Sequence, residues 1–258
     1  MNEHHNNKKA DMNGRYFVIN GVLHIQQGVT KIQDGEFKGC NGLTGVRIPA
    51  SVREIGAEAF QDCSGLKDIV IPESVTKIGD NALRGCIRLS SITLPQGLSE
   101  ISWGTFCECE KLETVVFPNF VKKICDYAFA GCSNLGRIEL PKSLKEIGMS
   151  AFLKCSRLRN VKVLGKLDRV ESYAFSDCYN LVHITGMLNT TKIGKLAFLY
   201  CNNLFNSYIP KRVKFYQDIL EAKSRKKGFV SQVEKCSGIF GDWMYWRPYK
   251  QFKNDPAA

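Results

Sequence analysis

The 258-residue sequence contains no apolar run of 18 residues, and no apolar segment follows the basic residues near its N-terminus. The first absence excludes a transmembrane helix. The second leaves no recognisable secretory signal. A cytoplasmic location is therefore the expectation from these residues alone.

The motifs of common catalytic sites are also missing. Gly-x-Ser-x-Gly, the phosphate-binding glycine-rich loop and His-Glu-x-x-His do not occur. Histidine is scarce, and the four copies are His4, His5, His24 and His183. These absences predict a protein that is not an enzyme, with no catalytic residue, no bound cofactor and no metal site.

What the chain does contain is a cysteine every 23 residues. The eight that keep this interval are Cys40, Cys63, Cys86, Cys109, Cys132, Cys155, Cys178 and Cys201. A fixed period of this length predicts one structural unit stacked on copies of itself. Stacked strands lie about 4.8 Å apart, wider than the roughly 3.5–4.5 Å between the Cβ atoms of a disulfide. The repeated thiols are therefore predicted to be buried and free, whereas Cys107 should point elsewhere.

The other positions of the repeat can be numbered from the cysteine. Phenylalanine or leucine stands three residues before it, leucine three after, and mostly β-branched residues six and eight after. This alternation predicts a short strand with one buried face, which the following proline ends. Apolar residues further on predict a tight turn and a second short extended segment, and residues 56–60 could hold one helical turn. Leu164 and Met187 replace the proline, and Gly186 occupies an apolar position, so an irregular turn is expected there.

The repeated unit resembles the BspA-like leucine-rich repeat family, whose unit reads Leu-x-x-Ile-x-Leu-Pro-x-x-Leu-x-x-Ile-Gly-x-x-Ala-Phe-x-x-Cys. The stretch from Leu66 to Cys86 matches it nearly position for position, with Leu83 in place of phenylalanine. The resemblance covers residues 23–210. It implies a right-handed leucine-rich-repeat solenoid of about eight coils, mostly strand and loop. It also implies a bacterial protein, and members are often secreted or at the cell surface, unlike the expectation from the missing signal.

Three regions are predicted along the chain. Residues 1–15 form a polar, disordered tail. Residues 16–210 form the solenoid, which begins with a hairpin around Asn20-Gly21. Residues 211–258 form a basic C-terminal cap with a helix and an aromatic cluster.

The candidate partner-binding residues stand five and seven after each cysteine, where side chains face outward from the strand. They differ from coil to coil while the core positions repeat. The set is Arg47, Asp68, Val70, Thr93, Thr114, Val116, Arg137, Glu139, Lys162 and His183. The prediction is a monomeric, non-enzymatic scaffold that binds a protein or a host-surface ligand through this sheet face.

The net charge of +11 supports an alternative function. Residues 211–258 carry eleven Lys or Arg against five Asp or Glu, together with aromatic residues. Basic and aromatic side chains are typical of surfaces that bind single-stranded nucleic acid or an anionic membrane. A helix end that places cations at its C-terminal pole explains the same residues. We favour a protein partner over nucleic acid.

Overall fold

The computed structural model describes residues 9–10, 14–188 and 190–204. The predicted C-terminal cap at 211–258 lies outside the described residues, as do most of the predicted N-terminal tail and the repeat that follows Cys201. The described part contains short strands and turns, and no helix.

Front and back strands alternate along the chain. The front strands are β3 (Val22–Ile25), β5 (Gly45–Arg47), β7 (Asp68–Val70), β9 (Ser91–Thr93), β11 (Thr114–Val116), β13 (Arg137–Leu140), β15 (Asn160–Val163) and β17 (His183–Thr185). The back strands are β4 (Lys31–Ile32), β6 (Glu54–Ile55), β8 (Lys77–Ile78), β10 (Glu100–Ile101), β12 (Lys123–Ile124), β14 (Glu146–Ile147), β16 (Arg169–Val170) and β18 (Lys192–Ile193). Two strands, β1 (Lys9–Ala10) and β2 (Tyr16–Ile19), precede them.

Each front and back strand pairs in parallel with a strand 23 residues away, so that equivalent positions lie side by side. Val46 lies opposite Ile69 on the front, and Ile55 lies opposite Ile78 on the back. From β5 onward, one front strand and the back strand after it make a coil, from coil one (β5–β6) to coil seven (β17–β18). The predicted solenoid with short parallel strands is confirmed.

The front strands do not form one continuous sheet. Their pairing order is β1-β2-β3-β5-β7, then β9-β11, then β13-β15-β17. On the back, β4-β6-β8 and β10-β12-β14-β16-β18 form two sheets.

The N-terminal part begins with an antiparallel hairpin. Strands β2 and β3 pair around Asn20-Gly21, where Asn20 (φ 50°) and Gly21 (φ 77°) are both left-handed, as a two-residue hairpin turn requires. Strand β3 then pairs in parallel with β5. The main chain of Lys9–Ala10 pairs antiparallel with Val18 and Phe17 as strand β1.

Phenylalanine rings form a column through the core. Phe106, Phe129, Phe152, Phe175 and Phe198 are fully or almost fully buried. Consecutive rings in this column have centroids 5.2–5.4 Å apart and are nearly parallel, within 11°. The repeat thus places identical side chains in direct contact from coil to coil.

The repeated cysteines line the same core as free thiols. Each Sγ from Cys63 to Cys201 donates a weak hydrogen bond to a main-chain carbonyl 26 residues earlier, such as Cys132 to Phe106 at 3.1 Å. These thiols pack in the core, and each one also provides a hydrogen-bond donor for one buried carbonyl.

The prediction that Cys107 points away from the core is wrong, because its side chain is only 2 % exposed. Glu108, between Cys107 and Cys109, has φ 61°. This left-handed residue reverses the chain direction locally, so both thiols face inward. Burial raises the pKa of Cys107 to about 12.

Left-handed residues also replace the possible helical turn at 56–60. Glu58 has φ 56°, and the equivalent Asn81, Tyr127 and Tyr173 have φ 54–58°. A single left-handed residue ends a right-handed helical turn, so each coil turns its corner without a helix.

The irregularity expected in coils six and seven has two components. Leu164 donates its main-chain N–H to the carbonyl of Leu140 at 3.0 Å, a bond that proline cannot make. Gly186 has φ 85°, and Met187 after it is fully buried. Met187 therefore supplies the core side chain that Gly186 lacks.

The glycine after the back strand permits close contact between coils. A Cβ added to Gly79 would lie 2.7 Å from Cα of Ala57 and from the carbonyl carbon of Gly56. We expect Gly79→Ala to lower the free energy of unfolding by about 1–3 kcal/mol, because main chain rather than a flexible side chain must move. Urea denaturation followed by circular dichroism measures this change.

Gly136 supplies the control for this substitution. No atom lies within 4 Å of a Cβ built on it, so Gly136→Ala should change the free energy of unfolding by less than about 0.5 kcal/mol. Equal effects of the two substitutions would contradict the close-contact explanation.

Candidate functional site

The candidate residues form two exposed rows on the front of the solenoid. All ten predicted partner-binding side chains are exposed. Register places Val70 beside Arg47, Val116 beside Thr93, and Glu139 beside Lys162 in the row at position seven. The row at position five places Arg137, Asn160 and His183 side by side. The structure therefore brings these residues onto one face, and their binding role stays a prediction.

Four of the charged candidates pair with one another. Arg47 Nη1 lies 2.8 Å from a carboxylate oxygen of Asp68, and Lys162 Nζ lies 3.1 Å from one of Glu139. All four side chains are about half exposed, so each pair contributes only about 0–1 kcal/mol to stability. These pairs flank the centre of the face without occupying it.

The centre of the face is mildly apolar. Val70 is 59 % exposed and Val116 is 48 % exposed, with Thr93 between them and Thr114 alongside. Strands β7 and β9 belong to different sheets, so the apolar row crosses a break in strand pairing. The arrangement provides van der Waals and hydrogen-bonding contacts rather than covalent chemistry.

The back of the solenoid satisfies its own charges. Lys31, Glu54 and Lys77 lie side by side, and both lysines bind the same Glu54 oxygen at 3.1 Å and 3.0 Å. Hydrogen bonds from Lys77 and then Lys31 hold the pKa of Glu54 below its ordinary value. Lys123 and Glu146 repeat the pairing at 3.4 Å. Opposite charges thus alternate from coil to coil between Lys31 and Arg169, and the alternation ends where Lys192 lies beside Arg169.

A second alternating contact lies just after the back strands. Asp34 accepts a hydrogen bond from the main-chain N–H of Ala57 at 3.0 Å. Asp80 and Asp126 accept equivalent bonds from Trp103 and Met149 at 3.1 Å and 2.8 Å. An aspartate therefore caps the following coil once in every two coils as far as Asp126, and Ser172 stands at the next such position.

The sequence reasoning missed the turns that follow the front strands. Phe120, Leu164 and Leu188 are exposed there, by 68 %, 38 % and 58 %. We call this surface the exit edge and define it by Phe120, Lys142, Leu164, Lys166 and Leu188. Comparing the residues after each proline position down the repeat would have revealed it, because polar residues give way there to lysine and leucine.

Other site types find no support in the described residues. No group of three or more His, Cys, Asp or Glu side chains within residues 14–188 and 190–204 is arranged to hold a metal ion. No helix in the part that the structure describes is long and apolar enough to span a membrane. The alternative nucleic-acid or membrane function was assigned to 211–258, which lies outside the described residues.

Comparison with known proteins identifies the repeat. The family model described as "BspA type Leucine rich repeat region" matches residues 22–135 and 99–224 in six copies. No curated protein matches the chain.

One solved structure shows the same fold, and a second is similar in sequence. The leucine-rich repeat protein of T. pallidum is 23 % identical, with 88 % of this chain and 95 % of that chain covered and a TM-score of 0.50. A leucine-rich cell surface protein of Faecalibacterium prausnitzii A2-165 is 24 % identical, with coverages of 80 % and 77 % and a TM-score of 0.47. Because the family model covers well over half of the sequence, the chain belongs to the BspA-type leucine-rich repeat family.

Proposed function

We propose that this protein is a non-enzymatic scaffold that binds another protein through the front face of its solenoid. The observation that carries the proposal is the pair of half-exposed valines, Val70 and Val116, at the centre of an otherwise polar face. An apolar centre with a polar rim is the usual anatomy of a protein interface. A partner exposed on a host surface fits the same face.

The surrounding geometry supports this assignment. Within each of the ion pairs Arg47–Asp68 and Lys162–Glu139 the two charges already neutralise each other. A partner could therefore cover them without burying an unpaired charge. Arg137 and His183 have no hydrogen bond or ion pair to another side chain within the described residues, and they offer polar contacts on the same face, one and three coils beyond Val116. Parallel pairing of β9 with β11 fixes Thr93 beside Val116, which lowers the entropic cost of binding.

A charge placed in the apolar centre tests the proposal. A partner is first identified by affinity capture with the full chain and mass spectrometry, and is then purified for titration. We expect Val116→Glu with Arg137→Glu to weaken its binding at least about tenfold, because the apolar contact is lost and a cation is reversed. Isothermal titration calorimetry gives the affinity, and circular dichroism checks the fold.

The matched control introduces the same charge change on the back. Thr76 and Lys122 are both exposed there, so Thr76→Glu with Lys122→Glu should leave the affinity within about twofold, as expected of residues outside the interface. Undiminished binding by the front-face variant would show that the partner uses another surface.

A further inference from the structure

The exit edge changes character halfway along the solenoid. In coils two and three, the side chain ten residues after the cysteine accepts a hydrogen bond from the next coil. Glu73 accepts from the N–H of Gln96 at 2.8 Å, and Gln96 accepts from the N–H of Asn119 at 2.9 Å. These polar side chains are therefore occupied in joining the coils.

In coils five to seven the same position holds Lys142, Gly165 and Leu188. A lysine has no acceptor atom, and the other two have no polar side-chain atom, so none of them can continue this set of bonds. Lys142 and Leu188 are both exposed. The edge is thus released from its structural role in these coils and presents cations and apolar groups to solvent.

The lysines of this edge lie close together. A Cβ on Gly165 would contact the carbonyl group and Cα of Lys142, so the two turns touch. Lys145 Nζ lies 3.4 Å from the main-chain oxygen of Lys166, which brings a third cation to the same place. Asp168, at the position of Lys145 in the next coil, is the nearby carboxylate, and no ion pair joins it to these lysines within the described residues.

The net charge of the described residues also differs between the first and the last coils. Residues 14–131 carry twelve Lys or Arg and thirteen Asp or Glu. Residues 132–204 carry eleven Lys or Arg but only five Asp or Glu. On the back of the solenoid, by contrast, Lys31, Lys77 and Lys123 each pair with a carboxylate. The excess positive charge lies in the chain segment that includes Lys142 and Lys166 of the exit edge.

We propose that the exit edge of coils four to seven binds an acidic segment of a partner protein, in which aliphatic side chains alternate with carboxylates. Phe120, Lys142, Leu164, Lys166 and Leu188 alternate between apolar and basic in chain order, and an acidic, apolar segment complements both features. The proposal rests on the proposed function, because it extends the protein-binding surface around the edge of the front face.

This chemistry favours a protein segment over other polyanions. Single-stranded nucleic acid binds where several aromatic rings stack on bases, and the exit edge as defined has one ring and two leucines. Insertion into an anionic membrane needs apolar residues gathered on one face, and here lysines separate them.

Peptide selection with the full-length wild-type protein tests the inference. A phage-displayed library of random dodecapeptides is selected on the immobilised protein, and the consensus peptide is synthesised with a fluorescent label. We expect the selected peptides to be enriched in Asp or Glu together with Leu, Ile or Val. Fluorescence anisotropy then gives the affinity, which should fall as salt is added.

Three variants locate the binding surface. Lys142→Glu with Lys166→Glu should weaken peptide binding at least about tenfold. Leu188→Asn, which leaves the charge unchanged, should weaken it about tenfold through the lost apolar contact. The control, Arg88→Glu with Lys111→Glu, reverses two exposed cations elsewhere and should leave the affinity within about twofold, since only a diffuse charge effect remains.

The outcomes separate the two proposals. Peptides without acidic enrichment, or full affinity in both exit-edge variants, would overturn the inference, as would tighter binding of oligothymidylate or phosphatidylglycerol vesicles than of the peptide. If Val116→Glu with Arg137→Glu disrupts partner binding while the exit-edge variants bind both the peptide and the partner as tightly as wild type, the inference fails and the front-face proposal stands. If all of these variants retain full binding, both are wrong.

Discussion

Replacing Phe129 with alanine should lower the free energy of unfolding by about 3–5 kcal/mol, the range for an aromatic side chain removed from a core. Phe129 is fully buried, and its ring stacks on Phe106 at 5.2 Å and on Phe152 at 5.3 Å. Phe117 also packs against it edge to face at 5.6 Å. The main chains of neighbouring coils are hydrogen-bonded at fixed spacing, so the cavity has little room to collapse. Urea denaturation measured by circular dichroism gives the change.

Phe120 provides a matched control nine residues before Phe129. The same substitution, Phe120→Ala, removes a ring that is 68 % exposed and should change stability by less than about 0.5 kcal/mol. A loss below about 1 kcal/mol for Phe129→Ala would mean that neighbouring coils can close the cavity, contrary to the rigid packing described above.

Alkaline pH should unfold the protein through its cysteines. Burial raises the pKa of Cys63, Cys107 and Cys125 to about 12, and raises that of Cys86 and Cys132 as well. The same thiols have a pKa of about 8.5 in an unfolded chain. Above that pH the unfolded chain releases protons that the folded chain keeps, so stability decreases as pH rises from about 8.5 towards 12.

The effect should be large because many thiols contribute. Each thiol that ionises only in the unfolded chain lowers the free energy of unfolding by about 1.4 kcal/mol per pH unit. Several such thiols together would remove a typical stability of about 5–15 kcal/mol within two or three pH units. Urea denaturation under reducing conditions at a series of pH values between about 7 and 11 measures the decrease.

Cysteine variants isolate the thiol contribution from that of lysine and tyrosine. Cys63→Ala with Cys107→Ala should reduce the steepness of the decrease by roughly 3 kcal/mol per pH unit. Phe129→Ala, which is destabilised but keeps every thiol, should show the wild-type steepness. A free energy of unfolding that stays constant up to about pH 10.5 would contradict the burial of ionisable thiols.

The core could be predicted from sequence because the repeat multiplies each observation. Any one of Phe129, Cys132 and Leu135 is ambiguous alone. When the same three residue types recur at the same spacing, their only consistent location is the interior of a stack of coils. The ten outward residues followed from strand alternation, since the strand neighbours of a core position face the opposite side.

The remaining features depend on contacts between coils, which spacing does not report. Cys107 turns inward at a corner where Glu108 is left-handed, and the spacing of the core residues does not report that conformation. Lys142 and Lys166 come together because the turn at Gly165 rests on the preceding turn. Whether the front face binds a partner depends on the surface of that partner. The sequence of one chain therefore does not reveal it.

The alternation of charges on the back sheet sets a rule for how this protein can change in length. Lys31, Glu54 and Lys77 alternate with the coil, and Asp34 and Asp80 cap every second coil. Loss or duplication of a single coil by recombination would place like charges side by side and shift the aspartate caps out of step. Exchange of two coils at once would preserve both. From Lys31 to Arg169 the charge pattern therefore repeats every two coils, twice the length of the unit that packs.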